Sequence, residues 1–221
     1  MARVTTFPRQ TTPRPALCEA RGDDPSGLVA LSLTLERQLA GLGAAERGVA
    51  FACIGSDRST GDSLGPLAGQ RLLRLGCAER SVIGTLERPL HALNMAERLA
   101  PLSGWSPRPV IVAVDAALGS LSGVGAISVS RGGLTPGEGL GKYLPAVGDV
   151  SVTATVNVRA GALDTHVLHS TRLYLVQQLA DELATMCWWA LRAVRPEDAT
   201  AVQGLGRRAS DRPRGAVPLP V

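Results

Sequence analysis

Apolar and polar positions follow three rhythms along the chain. They recur at helical spacing in LVALSLTLERQLAGL (28–42), form short unbroken runs in VAFACIG, SVIGTL and PVIVAVDA, and alternate in VSVTATVNV. The helical period returns from Asp62 to Leu75, in HALNMAERLA after Pro89, and from about Asp164 to Val194. In that last stretch Leu168, Leu175, Leu179, Leu183, Met186 and Leu191 predict one long amphipathic helix packed on a sheet. VGAISVS supplies a further strand. The order helix, β, α, β, α, β, β, β, α predicts an α/β fold: a three-layer α/β/α sandwich around a mixed, mostly parallel sheet.

The 221 residues, 45 % hydrophobic, hold apolar material for one sizeable core. A single domain is expected over residues 26–195. Residues 1–25, with Pro8, Pro13, Pro15 and Pro25 among Arg and Thr, and residues 196–221, rich in Arg and Pro, are expected to be disordered. A proline-rich N-terminal segment also raises the option of a removable propeptide. RGGLTPGEGLGKYLPAVGD, with six glycines and two prolines in 19 residues, reads as a lid or a flexible crossing.

The formal charge of +4 resides largely in arginines near the two ends, and two Phe and two Tyr offer few stacking platforms, so nucleic-acid binding is not expected. Four cysteines without CxxC spacing indicate a reduced, cytoplasmic protein. No run approaches the roughly 18 apolar residues of a membrane span, and the first residues contain no signal-like apolar stretch.

Candidate chemistry gathers where strands run into polar loops. Asp62, in CIGSDRSTGDSLGP, follows the first buried strand, and Asp115 follows five apolar residues, Val110 to Val114. In a parallel sheet both positions fall on the rim where α/β proteins build their sites. Asp62 has a bland reading as a helix cap, and Asp57 with Arg58 as a solvated pair. Asp115 emerges directly from the core and needs a partner or a raised pKa. If the two carboxylates converge, like-charge repulsion separates them into an acid and a base. Asp164, His166 and His169 offer an alternative metal-binding set, or a polar first turn capped by Asp164. His91 stands at a strand-to-helix junction on the same edge. Cys53 or a serine paired with a histidine is a nucleophile option that no spacing favours. The chain has no HExxH and no P-loop.

CIGSDRSTGDSLGP, GTLERPLHALN, VAVDAALG, GLGKYLPAVGD and HSTRLYLV, taken in order from about Val49 to Ala184, closely resemble the YyaC family of sporulation proteins of endospore-forming bacteria. That family is similar to the germination protease and, more distantly, to the hydrogenase maturation endopeptidases. The resemblance implies a phosphorylase/hydrolase-like fold. Asp62 in DSLGP matches an acidic residue of the protease's DALGP loop, and Asp115 in VDA matches a second in a strand-end IDA. The maturation peptidases add a histidine and bind nickel; the region around Asn157 stands in that third place here, a departure from the nickel pattern.

What the resemblance implies is a spore-associated peptidase in which Asp62 and Asp115 activate water against a peptide carbonyl. Asp57, Ser59, Thr60, Glu87, His91 and Asn157 are expected to line the cleft. An aspartic-type mechanism requires no cofactor, whereas a metallopeptidase would use a divalent metal held by Asp62, Asp115 and a histidine. The expected partner is a protein or peptide substrate in the cytoplasm of a sporulating cell or spore, with homo-oligomerisation left open. The competing reading is a non-catalytic binding or regulatory protein on a protease scaffold.

Overall fold

Strands and helices alternate as their sequence rhythms require, and the computed structural model describes residues 15–136 and 146–195. The strands are β1 (Cys18–Arg21), β2 (Val49–Cys53), β3 (Val82–Ile83), β4 (Val110–Gly119), β5 (Ala126–Arg131) and β6 (Val150–Val158). The helices are α1 (Pro25–Gly41), α2 (Ala44–Arg47), α3 (Leu64–Arg74), α4 (Met95–Ser103), α5 (Asp164–His169) and α6 (Leu173–Val194). One six-stranded sheet runs β1-β5-β6-β4-β2-β3. β3, β2, β4 and β6 are mutually parallel, β5 runs antiparallel to β6, and β1, antiparallel to β5, runs with the parallel four. The expected mixed, mostly parallel α/β sandwich is the architecture observed.

Side-chain alternation along β2 and β4 divides the core. Val49, Phe51, Cys53, Val110, Val112 and Val114 face α1, α3 and α6, packing with Leu35, Leu72, Leu183 and Met186. Ala50, Ala52, Ile111 and Ala113 face the other way, against Met95 and Leu102 of α4 and Leu90. Small alanines on that side leave room for a thin second layer, where a single helix and loops cover the sheet.

Four expectations change. β1 lies inside the N-terminal stretch expected to be disordered: Cys18–Arg21 pairs with Ala126–Val129 at the sheet edge. It is tied down by Arg21, whose Nη1 donates to the Val124 carbonyl at 2.8 Å. The strand expected over SVIGTL shrinks to two residues, because Gly84 turns the chain at φ +104° with its Cα against the Cys53 carbonyl, where no side chain fits. The helix expected from Asp164 to Val194 is two helices. Thr171 Oγ1 donates to the Val167 carbonyl at 2.7 Å, satisfying the end of α5 locally and breaking the run before α6. Finally, β4 does not stop at Ala116, where PVIVAVDA ends, but continues to Gly119, pairing with β6 through a register shift after Ala117. The GEGLGK loop and the segments 1–14 and 196–221 lie outside the described residues.

Candidate functional site

β2 is shorter than β4, and the difference creates the site. The last β2 pairing joins Cys53 to Val114, so Asp115 is the first β4 residue beyond the end of its neighbour. The chain leaving β2 crosses through α3 towards β3, while the chain leaving β4 turns towards β5, on the other side. A crevice at the carboxyl ends of two such strands is where open α/β sheets bind ligands.

Local hydrogen bonds then shape the loop that carries Asp62. Ile54 N–H donates to the Val114 carbonyl at 2.7 Å and Gly55 N–H to the Leu90 carbonyl at 2.8 Å. Ser56 N–H reaches forward to the Asp62 carbonyl at 3.1 Å, closing the loop on itself. Asp62 sits in a single 3₁₀ turn, Gly61–Ser63, that leads into α3. Gly61 packs directly on Leu168 of α5, which brings the end of that helix beside the loop.

The two carboxyl groups meet electrostatically. Both residues are half-buried, but the Asp115 carboxyl lies deep among protein atoms. Burial raises its pKa well above the usual carboxylate range and the charge of Asp62 raises it further, while the Ala116 N–H donated to Oδ1 at 2.8 Å acts in the opposite sense. Burial also raises Asp62, more mildly, because the Ser56 N–H and the neighbouring His91 and His169 act in the opposite sense. The pair is therefore asymmetric: burial raises both carboxyls, and Asp115 the more strongly, because the charge of Asp62 adds to its burial.

His91 is fixed by a residue that sequence reasoning missed. Asn94 Oδ1 accepts from the His91 N–H at 2.9 Å, and Asn94 Nδ2 donates to the Pro89 carbonyl at 3.0 Å and lies 3.4 Å from His91 Nε2. The signal was present in PLHALN, an Asn three residues after a post-proline His, a spacing suited to a side-chain-closed turn. His169, first grouped with Asp164 and His166, instead acts on Asp62. Asp164 is buried and accepts the Ala160 N–H, at 2.6 Å, so it closes the preceding turn rather than joining a metal set.

The remaining cleft candidates separate. Ser59 is half-buried in the Asp62 loop with an Oγ that has no hydrogen-bond partner, and the Thr60 carbonyl receives the Ser63 hydroxyl at 2.6 Å. Asp57 is exposed on the same loop. Glu87 faces solvent, 3.8 Å from Arg88, and Asn157 is a structural clamp instead of a cleft residue. Its Nδ2 donates to the Val167 carbonyl at 3.3 Å and to Thr171 Oγ1 at 3.1 Å, and its Oδ1 accepts the Val158 N–H at 2.8 Å. Asn157→Ala is expected to lower stability by about 1–3 kcal/mol in urea unfolding, because partly buried groups lose their partners. Unchanged stability would show that water replaces the amide.

Cys53 is fully buried, and burial pushes its thiol far up, which removes it as a nucleophile. A divalent metal does not fit the side chains as placed: among the described residues no group of three or more His, Cys, Asp or Glu is arranged to hold one. Nor is any helix among them long and apolar enough to cross a membrane.

The chain is similar to the "Uncharacterized protein YyaC" of Bacillus subtilis (strain 168), with 43 % identity over 141 residues, 64 % of this chain and 68 % of that protein. Among solved structures, the [NiFe] hydrogenase maturation protease HycI from Thermococcus kodakarensis KOD1 aligns with a TM-score of 0.49 at 18 % identity, covering 72 % of this chain and 99 % of that one. Residues 20–186, which include both aspartates and both histidines of the site, match the family described as "Protein of unknown function (DUF1256)", and the chain belongs to that family.

Proposed function

We propose that this protein is a peptidase of sporulating cells in which Asp62 and Asp115 act as a base and acid pair on a peptide bond. The observation that carries the reading is the asymmetric pair itself: two carboxyl groups at the sheet's crevice, one raised strongly by burial and by the other's charge, the other raised less because the Ser56 N–H and two histidines offset part of its burial. Structural carboxylates are usually paired with a cation or capped. Here the charge of Asp62 instead bears on Asp115, an arrangement that can separate two carboxyl groups into an acid and a base.

The chemistry follows from the protonation states. Ionised Asp62 takes a proton from water as the water oxygen attacks the carbonyl carbon, and Asp115 gives its proton to the carbonyl oxygen. The tetrahedral diol then collapses: Asp62 passes its acquired proton to the departing amine nitrogen, the C–N bond breaks, and Asp115 recovers a proton from the diol hydroxyl. The resemblance of DSLGP and VDA to the acidic motifs of the germination protease supports the peptide bond as target and a spore protein as substrate.

The test is incubation of the purified protein with an extract of sporulating bacterial cells, reading new peptide termini by mass spectrometry across pH, with and without chelator. The reading predicts chelator-insensitive cleavage with a bell-shaped pH profile. Activity should fall on the acid side as Asp62 takes up a proton and on the alkaline side as Asp115 loses one. Cleavage abolished by chelator would overturn the aspartate mechanism. No cleavage at any pH would favour a binding protein on this scaffold.

A further inference from the structure

β4 outruns β2, and the length it gains has one open edge. On its β6 side β4 stays paired through Gly119, whereas its pairing with β2 ends at Val114. In a strand the N–H and C=O of one residue point to the same side, and successive residues alternate. The Val114 carbonyl accepts the Ile54 N–H on the β2 side, so Ala116 and Leu118 present their backbone groups to that same side. Ala117 and Gly119 face β6, and the Gly119 carbonyl accordingly accepts the Arg159 N–H at 2.8 Å. The register shift leaves this alternation intact, because the extra residue, Val156, lies in β6.

Half of the edge groups of Ala116 and Leu118 are already used. The Ala116 N–H donates to Asp115 Oδ1 at 2.8 Å, and the Leu118 carbonyl accepts from Arg159 Nη2 at 3.1 Å. The Ala116 carbonyl and the Leu118 N–H bond to none of the described residues. Residues 116–119 are half-buried, so these groups are partly withdrawn from water without a partner. The segment has no proline and no charged side chain, the devices that blunt exposed edges, and such an edge is a template for pairing with another chain.

We propose that this edge binds an extended segment of a protein substrate as an added strand, running parallel to β4 in line with β2. The direction follows from which groups are open. One residue of a parallel strand, placed opposite Ala117, donates its N–H to the Ala116 carbonyl and accepts the Leu118 N–H on its own carbonyl. It thereby uses both open groups. An antiparallel strand would have to compete with Arg159 for the Leu118 carbonyl or with Asp115 for the Ala116 N–H. Main-chain pairing supplies the affinity and makes little demand on side chains. The slot opposite Ala117 lies roughly 7 Å past Asp115 along β4. The edge therefore holds substrate residues on the carboxyl side of the bond beside the carboxyl pair. That the segment is a substrate rests on the peptidase reading; that the edge takes a strand does not.

The probe is a mixture of random hexapeptides blocked at both ends, added at millimolar concentration to isotope-labelled, full-length Asp115→Asn protein. Amide hydrogen exchange at Leu118 should slow at least about tenfold, with no change at Gly119, which is already paired to β6. Hexapeptides methylated at every backbone nitrogen should give no protection, since they cannot donate to the Ala116 carbonyl. With both aspartates in place, Leu118→Pro removes the open N–H and leaves the β6 pairing, and Leu118→Ala matches its loss of core packing. In the sporulating-cell extract the proline variant should cleave at least about tenfold more slowly than the alanine variant. If the proline variant does not fold, the exchange result decides. Unchanged exchange at Leu118, slow exchange there before peptide is added, or equal protection by methylated peptides would overturn the proposal. Protection at Leu118 where the parent protein cleaves nothing would uphold the strand site and remove the peptidase reading. Cleavage at equal rates by the two Leu118 variants would do the reverse.

Discussion

Replacing Asp115 by Asn should abolish cleavage and stabilise the protein in the same stroke. The loss of activity should be roughly 10²- to 10⁴-fold, the usual contribution of a positioned proton donor or acceptor. Asp62→Asn should lose as much, because the two groups work in one proton cycle and neither replaces the other. The stability effect has a definite sign. Burial and the Asp62 charge raise the folded-state pKa of Asp115, so the native protein holds this proton more tightly than the unfolded chain does. That stability is fully present below the unfolded carboxylate value near pH 4 and drains away as pH rises through the raised folded value. An asparagine carries no such penalty and its Oδ1 still accepts the Ala116 N–H. Thermal melts should therefore coincide at acidic pH and diverge towards neutrality, with Asp115→Asn melting roughly 2 °C or more above the parent. A variant less stable than the parent at neutral pH would show that the carboxylate is compensated by a partner and is not held in strain.

Gly55→Ala should be the most damaging small substitution near the site. Gly55 has φ +141°, which L side chains rarely adopt, and a Cβ there would be driven into the Asp62 carbonyl oxygen. The same carbonyl accepts the Ser56 N–H that closes the loop, so the clash and the lost bond fall on one turn. A cost of roughly 3 kcal/mol is expected in denaturant unfolding, with cleavage lost beyond what the unfolded fraction explains. Full activity per folded molecule would show that the loop can reposition Asp62 without this closure.

Particular residues show which parts of the molecule could be read from the chain. The runs VAFAC and VIVAV are apolar on both faces and long enough to be buried parallel strands, so β2 and β4 were legible, and with them the rim where Asp62 and Asp115 fall. β1 was not, because four residues of mixed polarity between prolines and charges form a strand only through pairing with β5, over a hundred residues away. The break between α5 and α6 was hidden because the apolar period continues across it; the Thr171 hydroxyl on the Val167 carbonyl and the Asn157 amide reaching in from β6 decide it, and periodicity carries neither contact. Periodicity placed His166 and His169 together as an i, i+3 pair. α5 keeps that pairing, and the packing of Gly61 on Leu168 sets the end of α5, with His169, beside the loop of Asp62. Asn157 was assigned to the cleft by its order along the chain, and order does not show which way a half-buried amide points.

The most direct test of the paired-carboxylate account needs no substrate. It is a pH titration of isotope-labelled aspartate carboxyl carbons by NMR, in the parent protein and in Asp62→Asn. One carboxyl, assigned to Asp115 by its absence in Asp115→Asn, should stay protonated well above the ordinary carboxylate range. In Asp62→Asn its midpoint should move down, because the neighbouring charge is gone while burial remains. Two aspartates that titrate near their ordinary value, each indifferent to loss of the other, would contradict the account.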